Sequence, residues 1–190
     1  MKKDTNSGGV VTRIPEPILS TFVFGDVRTS WFWLLVRLYV GWQWLDAGWE
    51  KVSSAAWVGP TAGGALKGFL AGALKKTAGA HPDVSSWYGD WLKNVVMPHA
   101  ATFSWLVAYG EVLVGIALIL GLFTGIAAFF GAFMNMNYLF AGAVSTNPLL
   151  FILELFLILA WRVAGFLGLD YWVLRWLGTP WSPGDVFKKK

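Results

Sequence analysis

Four stretches of this chain, 31–50, 103–122, 124–144 and 148–167, are apolar over about the ~20 residues that a bilayer's hydrocarbon slab requires. Between the first two the pattern changes period. Over 63–76, Leu66, Phe69, Leu70, Ala73 and Leu74 recur at the spacing of one helix face, with Lys67, Lys75 and Lys76 off that stripe. After Pro82 and Asp83, which read as a helix cap, Trp87, Trp91, Leu92, Val95 and Val96 form a second amphipathic run that Pro98 stops. The pattern predicts an all-α chain: an integral membrane four-helix bundle with two amphipathic interfacial helices in a long first loop, 51–102. Those two helices lie flat on the headgroups, or else form a lid over the bundle mouth or a platform for an extracytoplasmic partner.

Punctuation refines the topology. Gly121, Thr124 and Gly125 mark a tight turn, so the second and third spans are antiparallel neighbours. Ser145-Thr146-Asn147-Pro148 reads as a helix start, a capping side chain followed by proline at the first helical position. Residues 171–177 are aromatic and short, which suits the interface. The chain divides into a polar tail at 1–27 (with a short apolar approach at 18–24), a membrane domain at 28–177 and a basic tail at 178–190. Residues 1–30 hold no apolar run of signal length, so the first span is expected to act as its own insertion signal.

Composition agrees with a membrane protein. Of 190 residues, 56% are hydrophobic and 14% charged, well under the ~25% charged of an average soluble domain; mean hydropathy is +0.54. Thirteen Trp and fourteen Phe suit aromatic belts at the headgroups. Cysteine is absent and only His81 and His99 are present, both outside the spans. That excludes iron–sulfur clusters and haem held by intramembrane histidines, and no metal site is expected. Nothing points to nucleic acid. Lys2, Lys3, Arg13 and Arg28 before the spans, with Arg175 and 188–190 after them, place both termini in the cytoplasm, against a long loop that holds Lys51, Lys67, Lys75, Lys76 and Lys93.

The chemistry of interest lies in charges inside the spans, where each costs several kcal/mol (roughly 2.5 and up) unless it is matched. By helical rise, Gln43, Asp46, Glu111, Asn137 and Glu154 fall about 6–12 Å below the outer surface, and Arg37 and Arg162 form an inner layer. On the first helix Arg37, Gly41, Gly48 and Lys51 share one stripe, while Gln43, Asp46 and Glu50 share another. Glu111 and Gly115 share a face of the second helix, where glycine admits a close backbone. Lys51 is the natural counter-ion for a buried acid. Arg37 either snorkels to inner phosphates or bonds helix carbonyls. Each polar group is otherwise interhelical glue.

Several of these residues stand in a recognisable order. Arg37-x3-Gly41-x6-Gly48-x2-Lys51 resembles the opening signature of the DoxX family of bacterial and archaeal membrane proteins. Gly110-Glu111 through Gly115, Leu118 and Gly121-Leu122-Phe123-Thr124 is similar to that family's second-helix pattern. Asn147-Pro148 and Ala160-Trp161-Arg162 through Gly168-Leu169-Asp170 carry the likeness on. The long first loop, with Ala65-Leu66-Lys67-Gly68-Phe69, resembles the DoxD-type branch. The resemblance implies a multi-pass protein of the prokaryotic plasma membrane and a subunit of thiosulfate:quinone oxidoreductase, completed by a separate partner subunit docking at the extracytoplasmic loop.

On that view Glu111 and Asp46 carry protons to a diffusible quinone. Gln43, Asn137, Glu154 and Lys51 bind it, and Lys67, Lys75, Lys76 and Lys93 attract an anionic sulfur donor. Arg37 and Arg162 are structural or contact headgroups. The competing reading is a non-enzymatic anchor or assembly subunit of a larger membrane complex.

Overall fold

In the computed structural model the described residues are 16–178. Lys2, Lys3, Arg13 and 188–190, on which the tail-charge argument leans, lie outside them. The described chain is helical, without strands: α1 Ile18–Gly25, α2 Ser30–Val52, α3 Gly64–Lys75, α4 Ser86–Trp91, α5 Ala100–Leu120, α6 Thr124–Phe140, α7 Asn147–Leu159, α8 Trp161–Ala164 and α9 Asp170–Leu177. The all-α expectation is met.

The four longest apolar helices close a ring, α2 on α5, α5 on α6, α6 on α7 and α7 back on α2. The α2–α5 seam is the tightest part. A Cβ on Gly48 would come 2.6 Å from the Val112 nitrogen, and one on Gly115 would come 2.5 Å from the Leu45 nitrogen. Only glycine lets two backbones lie that close. Inside the ring Trp33, Val40, Trp44, Val114, Leu118 and Leu157 make the main core.

Among the described residues α5 is the one helix long and apolar enough to cross a membrane by length and composition. α2 is as long but carries Arg37, Asp46, Glu50 and Lys51. The third expected span, 124–144, stops at Phe140, because Gly142 and Ser145 turn the chain with positive φ (69° and 37°). The fourth, 148–167, is not one rod. α7 ends at Leu159 and the chain bends at Ala160 (φ −85°, ψ 10°) before α8. The expected side-chain cap before Pro148 is missing too, since Thr146 makes no capping bond.

The first loop is folded onto the ring. Leu66, Leu70 and Ala73 of α3 and Tyr88, Leu92 and Val96 from α4 onward form a second core with Ala100 and Ala141. Of the expected stripe Leu92 and Val96 are buried and Trp91 packs against them, with Tyr88 completing the face, while Trp87 and Val95 point outward. Residues Leu92–Val96 form a widened turn with the Met97 N–H on the Leu92 carbonyl (2.8 Å). α3 and α4 therefore cover α5 and α6 as a packed lid. Lys76 fastens it by donating to the Gly142 carbonyl at 2.5 Å.

At the opposite end Asp170 opens α9, and its carboxylate accepts from the Phe123 and Thr124 backbone N–H groups (2.6 and 2.9 Å). It caps the start of α6, where unpaired N–H groups and the helix dipole favour an anion.

Candidate functional site

Under the lid lies a cavity of about 200 Å³. Phe69 and Leu70 line it from α3, Tyr88 and Trp91 from α4, Phe103 and Leu106 from α5, and Phe133, Asn137 and Tyr138 from α6. The lining is aromatic because the lid helix and α6 interleave their rings: Phe69 stands edge-on to Tyr138 (centroids 6.1 Å apart) and Tyr88 edge-on to Phe140 (5.4 Å). The few polar atoms are pinned in the wall. The Tyr88 hydroxyl donates to Asn137, near both its carbonyl and its Oδ1 (3.0 Å each), and Asn137 Nδ2 donates to the Phe133 carbonyl. Burial pushes the Tyr88 phenol up to about 12, so it stays protonated and able to donate.

Behind the Tyr138 ring runs a charged row. The Tyr138 hydroxyl donates to Glu111 Oε1 (2.5 Å), and Glu111 Oε2 accepts from Lys51 Nζ (2.7 Å). Glu111 is 1% exposed, whereas the Lys51 side chain is 19% exposed, lies over the Trp57 ring and also reaches the Ala47 carbonyl. The row thus leads from the surface to the cavity wall through one buried carboxylate. Its location follows from the α2–α5 seam, since Gly48 packs against Val112 and Glu111.

The other expected site residues do not join it. Among the described residues Asp46, which is exposed, has no hydrogen bond or ion pair, and half-buried Gln43 has no side-chain hydrogen bond. Asp46 is not brought to Glu111: their helices meet through the glycine face, and Asp46 sits on the other stripe. Glu154 is fully buried in a separate cluster, accepting from Trp44 Nε1 (2.5 Å) and Asn135 Nδ2 (2.7 Å) beside Gly131, and it does not line the cavity. Of these four loop lysines, Lys67, Lys75 and Lys93 are exposed and have no ion pair among the described residues, and Lys76 is the lid fastener.

The arginines also separate. Arg37 is 1% exposed, so it does not snorkel; its Nη2 donates to the Leu167 carbonyl (2.9 Å) and its other two nitrogens have no hydrogen-bond partner among the described residues. The Cα atoms of Gly121 and Gly168 leave the room that it fills. Arg162 faces Glu16 at 3.7 Å.

Sequence reasoning missed Tyr138, Tyr88 and Trp44 and gave Asp170 no role of its own, whereas Asn135, read as interhelical glue, does bond Glu154 across α6 and α7. A usable signal existed for the tyrosines: a phenol within an apolar helix needs a partner for its O–H, and Tyr138 stands in such a run.

No curated protein and no solved structure matches this chain. Its sequence does match the DoxX family over residues 32–143, more than half of its length, from α2 through the lid and charged row to the turn after α6. The chain belongs to the DoxX family of membrane proteins.

Proposed function

We propose that this protein is the membrane-embedded, quinone-binding subunit of an oxidoreductase, with the ring bound under the lid. The observation that carries this is the junction at Tyr138: one face lines an aromatic cavity, while its hydroxyl ends a row through Glu111 to Lys51. Ligand pockets for drug-sized molecules usually run to ~300–1,000 Å³, so this one suits a single ring. A prenyl tail would leave between Leu106 and Phe133, both exposed at the cavity edge.

Quinone reduction takes up two electrons and two protons. The Tyr88 hydroxyl can turn from Asn137 to a ring carbonyl. Tyr138 can give its hydroxyl proton to a ring oxygen while Lys51 passes a proton to Glu111 and Glu111 passes it on to Tyr138. Lys51, the partly exposed end of the row, then regains its proton from water, and the second proton follows the same route. The resemblance to the DoxD-type branch makes thiosulfate the electron donor we favour: two ions joined as tetrathionate release two electrons, directly or through the cofactor of a partner subunit. The exposed Lys67, Lys75 and Lys93 on the lid side favour an anion or an acidic partner docking there.

The same reading takes α2, α5, α6 and the bent α7–α8 pair as four spans. Large apolar side chains face outward on each, such as Leu35, Leu113, Phe130 and Ile152, at 67, 66, 53 and 50% exposure; a lipid contact explains such a surface. Both termini then lie in the cytoplasm. An impermeant maleimide on intact cells should label Ser85→Cys and leave Ser7→Cys unlabelled; the reverse result overturns the orientation.

The decisive test is extraction of quinone from protein purified in mild detergent, with electron transfer measured in Glu111→Gln. Side-chain size and hydrogen bonding are kept while titration is lost, so the variant should assemble, retain quinone and lose most turnover. Because this leaves Lys51 unmatched, Lys51→Gln/Glu111→Gln is measured beside it. Full turnover in either well-assembled variant would reduce the row to interhelical glue. The anchor or assembly-subunit reading, which the Lys51–Glu111 clasp across α2 and α5 also suits, would then lead.

A further inference from the structure

Among the described residues the exposed charges of the four ring helices lie along one strip of α2, and the rest of the perimeter is apolar and aromatic, with the Tyr39 and Tyr109 rings in it. There Asp46 and Glu50 are exposed, flanked by Trp42 and Trp49 at 61 and 66% exposure. Neither carboxylate has a hydrogen bond or ion pair among the described residues, and Lys51 is turned inward to Glu111.

Packing sets their depth. Gly48 lies against Val112 and Glu111, and Gly115 lies against Leu45, so Asp46 and Glu50 are level with the middle of α5, the helix that is long and apolar enough to cross a membrane. By helical rise, Asp46 stands ~6 Å from α5's midpoint and Glu50 closer still. At that same depth α5 presents Leu113, and α6, where Met134 meets Gly110, presents Phe133. Two carboxylates therefore face outward at a level where the neighbouring helices expose apolar and aromatic side chains and no charge, Tyr109 being the one phenol there among the described residues.

We infer that this strip is the docking face for a membrane-spanning helix of a partner protein that carries a Lys or Arg opposite Asp46 and Glu50. The inference rests on the spanning reading above. Lipid tails offer no donor at that depth, so bare carboxylates there are strongly disfavoured. A two-fold contact with a second copy would set the same acidic strip against itself, acid on acid. A cation-bearing helix satisfies both carboxylates and buries the two tryptophans, the residue type that most often anchors protein contacts. This face is separate from the lid and its lysines.

The test uses membranes of the cell that naturally makes the protein. An apolar carbodiimide modifies carboxyls in hydrocarbon, and a water-soluble one modifies those in water. In native membranes Asp46 should resist both, and the apolar reagent should modify it once the single chain is purified in detergent. A photo-crosslinking residue at Trp42 should then capture an apolar segment of another protein that contains Lys or Arg, and the capture should be lost in Asp46→Asn/Glu50→Gln. Modification by the apolar reagent in native membranes would overturn the inference, as would a crosslink to a second copy or to a segment without a cation. Modification of Asp46 by the water-soluble reagent in those membranes would instead sink the spanning reading itself.

Discussion

One methyl group at position 115 tests the seam on which the charged row depends. A Cβ there would lie 2.5 Å from the Leu45 nitrogen and 2.8 Å from its Cα and Cβ, where nonbonded carbons normally sit ~3.5–4.0 Å apart. Two of the three atoms are backbone, so no side chain can swing aside, and α2 and α5 must part by about 1 Å. Such overpacking costs ~1–3 kcal/mol, and alanine returns up to ~1 kcal/mol through its better helix propensity. With the clash on backbone, the net loss should be about 2 kcal/mol. At ~2–4 °C per kcal/mol for a chain of this size, melting falls by roughly 4–8 °C. The assay is thermal loss of the monodisperse peak in detergent, run beside Gly68→Ala. Gly68 is exposed on α3 with nothing within 4 Å of a built Cβ, so that variant should melt at or above the parent. If Gly115→Ala melts with the parent while Gly68→Ala behaves as expected, the seam is not glycine-dependent and the placement of Glu111 beside Lys51 needs another cause.

Two further outcomes follow from the same geometry. Arg37→Lys should destabilise nearly as much as Arg37→Ala, by roughly 2–3 kcal/mol, because the buried guanidinium bonds the Leu167 carbonyl and fills the space beside Gly121 and Gly168; a Lys variant that melts with the parent would restore the snorkelling account. Burial raises the Tyr88 phenol to about 12 from the ordinary 10, so the lid's extra stability is complete below pH 10 and lost as pH rises toward 12; Tyr88→Phe should remove that alkaline step in phenolate absorbance, and an unchanged titration would refute it.

What the sequence made legible was the periodicity. The α3 stripe and the Arg37–Gly41–Gly48–Lys51 face both follow from ~3.6 residues per turn, and the second set Lys51 beside a buried acid, as expected. Depth was legible, but azimuth between helices was not. Asp46, Glu111 and Glu154 were grouped because their levels agree, yet one faces outward, one faces Lys51 and one faces Trp44. Which helix neighbours which, and by which face, is set by the ring as a whole. The bend at Ala160 was hidden for a similar reason. No proline marks it, and it delivers the Leu167 carbonyl to Arg37, a contact 130 residues apart in the chain.

The end of α6 shows why these separate polar groups work as one device. Within four residues Asn135 holds Glu154, Asn137 holds Tyr88 of the lid, and Tyr138 holds Glu111. One helical turn therefore ties α7, the lid and α5 to the same backbone, and the cavity lies where two of those ties meet. Glu154 has no cation beside it among the described residues and does not line the cavity; its two bonds tie α7 to α6 through Asn135 and to α2 through Trp44, which holds the rotation of both. That rotation decides whether the Tyr138 ring faces the cavity while its hydroxyl faces Glu111. The two buried carboxylates are therefore held differently: Glu154 by two neutral donors that fix the helix azimuth, and Glu111 by a cation and the phenol that this azimuth presents.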